Sequence, residues 1–161
     1  MTKQVIHPET RIGHVHLKVS DLESSVKFYS EALGFEITSR IGNTAAFLSA
    51  GGYHHHIGLN TWESLGGKQP PKNSVGLYHF AILMPDRKEL SRTVKRLLDY
   101  NWPIDGAADH GVSEAVYLSD PDGNGIEIYA DRPKKEWKKD SKGIVMYTKP
   151  LDFGDLMKEL K

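Results

Sequence analysis

Two histidines, His14 and His79, each stand seven residues ahead of an aspartate, Asp21 or Asp86, that opens a helical pattern. The first copy reads His14-Val15-His16-Leu17-Lys18-Val19-Ser20-Asp21, and the second His79-Phe80-Ala81-Ile82-Leu83-Met84-Pro85-Asp86. The likeness resumes where Ala46-Phe47-Leu48-Ser49 answers Val116-Tyr117-Leu118-Ser119, and His56 is read as the counterpart of Glu127. Imidazole and carboxylate are the side chains that hold transition metals when thiolate is absent. A single strand histidine is usually a hydrogen-bonded surface group, and a single glutamate a solvated one. Ligand-type residues at equivalent places in two half-units point instead to a shared ion.

The elements that must position them follow from the pattern. Asp21 suits an N-cap, and Leu22, Val26, Tyr29 and Leu33 form an apolar stripe that stops at Gly34. Asp86 with Glu89 resembles a capping box before Leu90, Val94, Leu97 and Leu98. Strand-like runs fall near 11–19, 35–41, 44–50 and 53–60, then 76–84, 103–110, 113–119 and 125–130. The expected fold is α+β: two βαβββ modules, 11–60 and 76–131, pairing into a curved, open-barrel mixed sheet, with a linker over 61–75. Residues 132–161 read as a basic, solvated tail ending in a short helix with Leu156, Met157 and Leu160.

Strand alternation sorts the faces. Val15, Leu17 and Val19 share one side, and His14, His16 and Lys18 the other. Phe80, Ile82 and Met84 oppose His79 and Ala81; Ile126 and Ile128 oppose Glu127 and Tyr129. His14, His79, His56 and Glu127 are therefore expected on one concave face. By the same alternation His55 faces the aliphatic side, while His54 and His16 suit supporting or substrate-lining roles.

A chain of 161 residues fits one domain that buries roughly two-thirds of its unfolded surface. With 21 basic and 21 acidic residues, no net field draws it to nucleic acid or an anionic membrane. The absence of cysteine excludes disulfides, thiolate ligands and a thiol nucleophile. Met1 to Thr10 has no leader-like apolar run, and no segment suits a bilayer span. A soluble cytoplasmic protein is expected. Asp120-Pro121-Asp122-Gly123-Asn124-Gly125 imitates the start of a calcium loop, but its flanks are strands, and Glu127 falls where that loop wants an aliphatic residue. It reads as a tight turn delivering Glu127 into the last strand.

Ile12-Gly13-His14 through Asp21, with Phe28-Tyr29, Leu33-Gly34-Phe35 and the turn Asp120 to Glu127, resembles the vicinal-oxygen-chelate superfamily over about residues 11–131. Gly51-Gly52-Tyr53-His54-His55-His56-Ile57-Gly58-Leu59-Asn60, Leu77-Tyr78-His79-Phe80-Ala81 and Asp109-His110-Gly111-Val112-Ser113-Glu114 look like the catalytic half of catechol-2,3-dioxygenase-type extradiol enzymes. That resemblance implies ferrous iron held by His14, His79 and Glu127, with His56 as acid/base and His110 and Tyr117 in the substrate pocket. It implies Fe(II)-dependent insertion of dioxygen into a catechol-like aromatic, and a homodimer, because many such enzymes carry a second domain. The alternative is a glyoxalase I-like lyase or isomerase with manganese, nickel or zinc and His56 as a fourth ligand, or a non-catalytic binding member. The sequence leaves open whether His56 touches the metal and whether a site lies within one chain or between two.

Overall fold

Asp21 and Asp86 cap helices as the spacing predicts. The computed structural model describes residues 5–160; residues 1–4, part of the Met1 to Thr10 stretch considered for a leader, and residue 161 lie outside the described residues. Asp21 Oδ1 accepts from the Ser24 amide at 2.7 Å, and Asp86 Oδ1 from the Glu89 amide at 2.8 Å. Each cap stabilises its helix by about 1 kcal/mol.

The first module runs β1 (Val15–Lys18), α1 (Leu22–Lys27), β2 (Glu36–Ile41), β3 (Ala45–Ser49) and β4 (Ile57–Asn60). A π-helical turn, Phe28–Ala32, continues α1 and turns both Phe28 and Tyr29 inward, before Gly34 closes it at φ 89°. The second module repeats the order: β5 (Phe80–Met84), α2 (Arg87–Asp99), β6 (Gly106–Asp109), β7 (Ser113–Ser119) and β8 (Gly125–Asp131). The sheets are ordered β1-β4-β3-β2 and β6-β7-β8-β5, so the parallel pairs β1·β4 and β5·β8 leave β1 and β5 at equivalent edges.

The aliphatic faces behave as alternation predicts. Leu17, Val19, Leu59, Ile126 and Ile128 join Val26, Leu90, Val94 and Leu97 in one buried cluster beneath the helices. Full burial of each such side chain is worth about 1.5–3 kcal/mol. Polar pins join the modules on this side. Buried Tyr29 donates to Asp120 Oδ2 at 2.9 Å, the Ser20 amide to Asp122 Oδ2 at 3.0 Å, and Arg96 to the Leu33 carbonyl at 2.8 Å. The calcium-like segment is thus a hydrogen-bonded turn.

The tail differs from its reading as a plain solvated segment. Lys139–Asp140 (β9) and Gly143–Ile144 (β10) form a small hairpin, and Lys149–Pro150 (β11) adds an antiparallel strand to the free edge of β6. The last helix, α3 (Phe153–Leu156), docks through fully buried Leu156, whose carbonyl accepts from Ser91 at 2.7 Å. Basic composition alone could not reveal a bare sheet edge waiting to be covered. Among the described residues, no helix is long and apolar enough to cross a membrane.

Candidate active site

Gly125 fixes the geometry of the pair His79 and Glu127. A Cβ there would lie 2.4 Å from the Tyr78 carbonyl oxygen and 3.1 Å from His79 Cβ, so only glycine lets the chain leading into β5 lie against β8. The parallel register sets Ala81 beside Glu127, and His79 Nε2 comes to 3.0 Å from Glu127 Oε2. Tyr117 sits directly across the ladder from Glu127 and donates to its Oε1 at 3.1 Å. The Tyr117 hydroxyl is also 2.6 Å from His110 Nε2, and His110 Nδ1 donates to the Tyr147 carbonyl at 3.0 Å. These groups edge a concavity of about 420 Å³ whose wall includes Ala81, Val112, Tyr129 and Met146.

The hydrogens in this row are constrained. A carbonyl only accepts, so the Tyr147 carbonyl places a hydrogen on His110 Nδ1, and the neutral ring then offers Nε2 as an acceptor. Tyr117 has one proton for two acceptors, His110 and Glu127. Burial, then the Glu127 charge, pushes the Tyr117 phenol from 10.0 to about 12. It therefore remains a neutral donor across the ordinary pH range.

The first module's histidines gather separately. His14 stacks on His55 with ring centroids 4.4 Å apart, and His55 also meets Phe47 and His54. His55 thus leaves the aliphatic side that alternation assigned it, because β4 begins only at Ile57 and the chain before it is not pleated. Burial, then the neighbouring imidazoles with His14 first, lowers the His55 pKa below 6.5. His56 Nδ1 accepts from the Ala50 amide at 3.3 Å and faces Ser49 Oγ at 3.0 Å, which leaves the hydrogen of a neutral ring on Nε2. His16 Nε2 meets Asn60 Nδ2 at 2.9 Å.

Of the six residues singled out by sequence, His79, Glu127, Tyr117 and His110 come together, and His14 and His56 stay with the other module. Among the described residues, no group of three or more His, Asp or Glu side chains is gathered to hold an ion. The donor set nonetheless fits one in part: an imidazole nitrogen and a carboxylate oxygen face each other in an open pocket, and a third donor is wanting.

The ladders also correct the repeat. Val15 pairs with Ile57 and Phe80 with Ile126, so Ile57 answers Ile126 and Gly58, not His56, answers Glu127. Phe47 pairs with Gly58 as Tyr117 pairs with Glu127, in keeping with the match read between β3 and β7. The first module carries a glycine where the second carries its carboxylate. A Cβ on Gly58 would come within 2.9 Å of the His16 ring, which occupies that space. Sequence reading missed Met146 and the Tyr147 carbonyl, which no local motif marks.

Residues 11–128 match the family model described as Glyoxalase/Bleomycin resistance protein/Dioxygenase superfamily. The chain is 44% identical over 156 residues to a catechol-2,3-dioxygenase of Bacillus subtilis, covering 96% of this chain and 53% of that protein. It is 27% identical over 128 residues to a probable lactoylglutathione lyase of Vibrio cholerae, covering 76% of this chain and 91% of the other. A solved glyoxalase/dioxygenase structure from Nostoc punctiforme shares the fold, with a TM-score of 0.63 at 22% identity over 83% of this chain and 100% of that one. The chain spans about half the length of the Bacillus protein.

Proposed function

The chain belongs to the glyoxalase/bleomycin resistance protein/dioxygenase superfamily, and from that premise we propose that it is an extradiol dioxygenase opening a catechol-like ring with dioxygen. The observation that carries the reading is the row His79–Glu127–Tyr117–His110 along an open pocket. The 44% identity to a catechol-2,3-dioxygenase supports it.

His79 and Glu127 supply two of the three donors of a facial triad, and His14 is proposed as the third. These three side chains would hold ferrous iron, which would supply the redox chemistry that ring opening by dioxygen requires. His14 reaches the pair from a second copy of the chain. Both edge strands, β1 and β5, carry exposed apolar neighbours, with Ile12, Val75 and Tyr78 each more than nine-tenths exposed. The homodimer covers them. The Val15 amide bonds the His56 carbonyl at 3.0 Å, so whatever delivers His14 delivers His56 with it.

The chain's own residues then have separate tasks. Tyr117, neutral to about pH 12, donates to a substrate oxygen. His110 holds Tyr117 in place, and His56 offers Nε2 as the group that takes and returns the catechol proton. Gly58, which has no side chain at the position equivalent to Glu127, supports three protein ligands, not the four a glyoxalase-like site would want. Adding catechol and air to the iron-loaded protein tests the reading. A yellow ring-opened product is expected; isomerisation of a thiol–aldehyde adduct with no ring opening would overturn it.

A further inference from the structure

The tail between the β9–β10 hairpin and β11 runs along the pocket's rim. Two hydrogen bonds and one ladder pairing tie it to the end of β6 and the residue after it. The Tyr147 amide donates to the His110 carbonyl at 3.3 Å, His110 Nδ1 to the Tyr147 carbonyl at 3.0 Å, and Lys149 pairs with Asp109. The Tyr147 ring lies on Gly111, whose φ is 79°; a Cβ there would meet Tyr147 Cε1 at 2.6 Å. Lys149 Nζ sits over the same ring, 4.7 Å from its centroid.

The tail is anchored by ion pairs on both sides of this strap. Arg132, near its start, bonds Asp109 at 3.1 Å and the nearly buried Glu114 at 2.8 Å, while Trp137 donates to the Arg132 carbonyl. Past its end, Arg87 binds Asp155 and Glu159, and Leu156 is buried. Between these anchors the Met146 side chain is exposed yet forms part of the pocket wall with His110 and Val112.

We propose that residues 144–150 are a specificity strap. The Tyr147 carbonyl is a positioning group that holds the His110 ring, and Met146 is the wall that selects the substituent on the substrate's ring. A flexible thioether beside Val112 suits apolar substituents. The ring-cleavage reading supplies the substrate class, and the specificity clause rests on that reading. The hold on His110 does not.

The test therefore has two arms. Nitrogen-15 spectra of the metal-free protein should show His110 with its hydrogen on Nδ1. Gly111→Ala, which pushes the Tyr147 ring off the rim, should convert that signature to mixed tautomers while circular dichroism stays unchanged. A wild-type ring carrying its hydrogen on Nε2, or a spectrum unaltered by Gly111→Ala, overturns the positioning role.

In the second arm, zinc-loaded protein, inert to oxygen, is titrated with catechol and with a catechol bearing a tert-butyl group. Met146→Trp should weaken the bulky ligand about tenfold and leave catechol within about twofold. Met146→Ala should move the ratio the other way. Equal effects on both ligands overturn the specificity role. A wild type that binds neither catechol defeats the specificity role along with the ring-cleavage reading, and the imidazole spectrum still decides the positioning role.

Discussion

One hydroxyl explains much of the site's logic. Tyr117 stands between Glu127 at 3.1 Å and His110 at 2.6 Å, and burial beside a carboxylate holds its phenol protonated to about pH 12. A donor with two competing acceptors is easily redirected to a third, such as a substrate oxygen. Tyr117→Phe is expected to keep bound iron and lower kcat by about a hundredfold, a typical loss for one positioned proton donor. Iron loss in that variant would mean that the hydroxyl serves the carboxylate alone. His56→Ala should likewise keep the metal and lose turnover, because its Nδ1 is engaged with Ser49 and Ala50. His14→Ala, His79→Ala and Glu127→Ala should each release iron, read by metal analysis after desalting.

Strand and turn geometry make those residues meet. Gly125 is the position where β8 admits the chain entering β5, and Gly125→Ala drives a methyl to 2.4 Å from the Tyr78 carbonyl. The expected result is a fold retained by circular dichroism with iron affinity lowered about tenfold or more, since backbone must shift beneath His79. Wild-type affinity would contradict the close-approach argument. The turn before β8 has its own signature. Burial pushes the Asp120 carboxyl above its ordinary 3.8, against hydrogen bonds from Asn124 and Tyr29. A carboxyl that holds its proton more tightly folded than unfolded removes stability as pH rises from the unfolded value through the folded one. Stability followed upward from the ordinary carboxylate value of 3.8 should therefore contain a falling component that Asp120→Asn lacks, and a pH-independent difference between the two would contradict it. Tyr29→Phe, which removes a buried donor to Asp120, should cost about 1–3 kcal/mol. At this scale the sequence was largely readable. Aspartate caps and apolar stripes announce α1 and α2, and alternation places Leu17, Ile126 and Glu127 on their faces. It failed where local pattern carries no pairing information. His55 lies before its strand begins, and the partner of Ile126 could be known only from the β1·β4 and β5·β8 registers, which move the counterpart of Glu127 from His56 to Gly58.

For the molecule as a whole, a shared core behind two sheets contrasts with a concave side whose proposed ligands are divided. Tyr29–Asp120, Ser20–Asp122 and Arg96–Leu33 lock the modules back to back, and the His14 and His79–Glu127 groups remain apart. The repeat in the sequence points to all three as ligand types, but it has no means of saying which chain would complete the proposed site. The tail is a parallel case: its strand pairing with β6 depends on a vacant edge elsewhere in the fold. The sharpest test of a site built from two copies is subunit mixing. Purified His14→Ala and Glu127→Ala proteins, each inactive, are unfolded together, refolded with ferrous iron and assayed for catechol ring opening. Random pairing makes half the dimers mixed, and each mixed dimer regains one of two sites, so the predicted rate is about a quarter of wild type. A mixture as inactive as its parents, formed under conditions where refolded wild type recovers full activity, would contradict the shared triad.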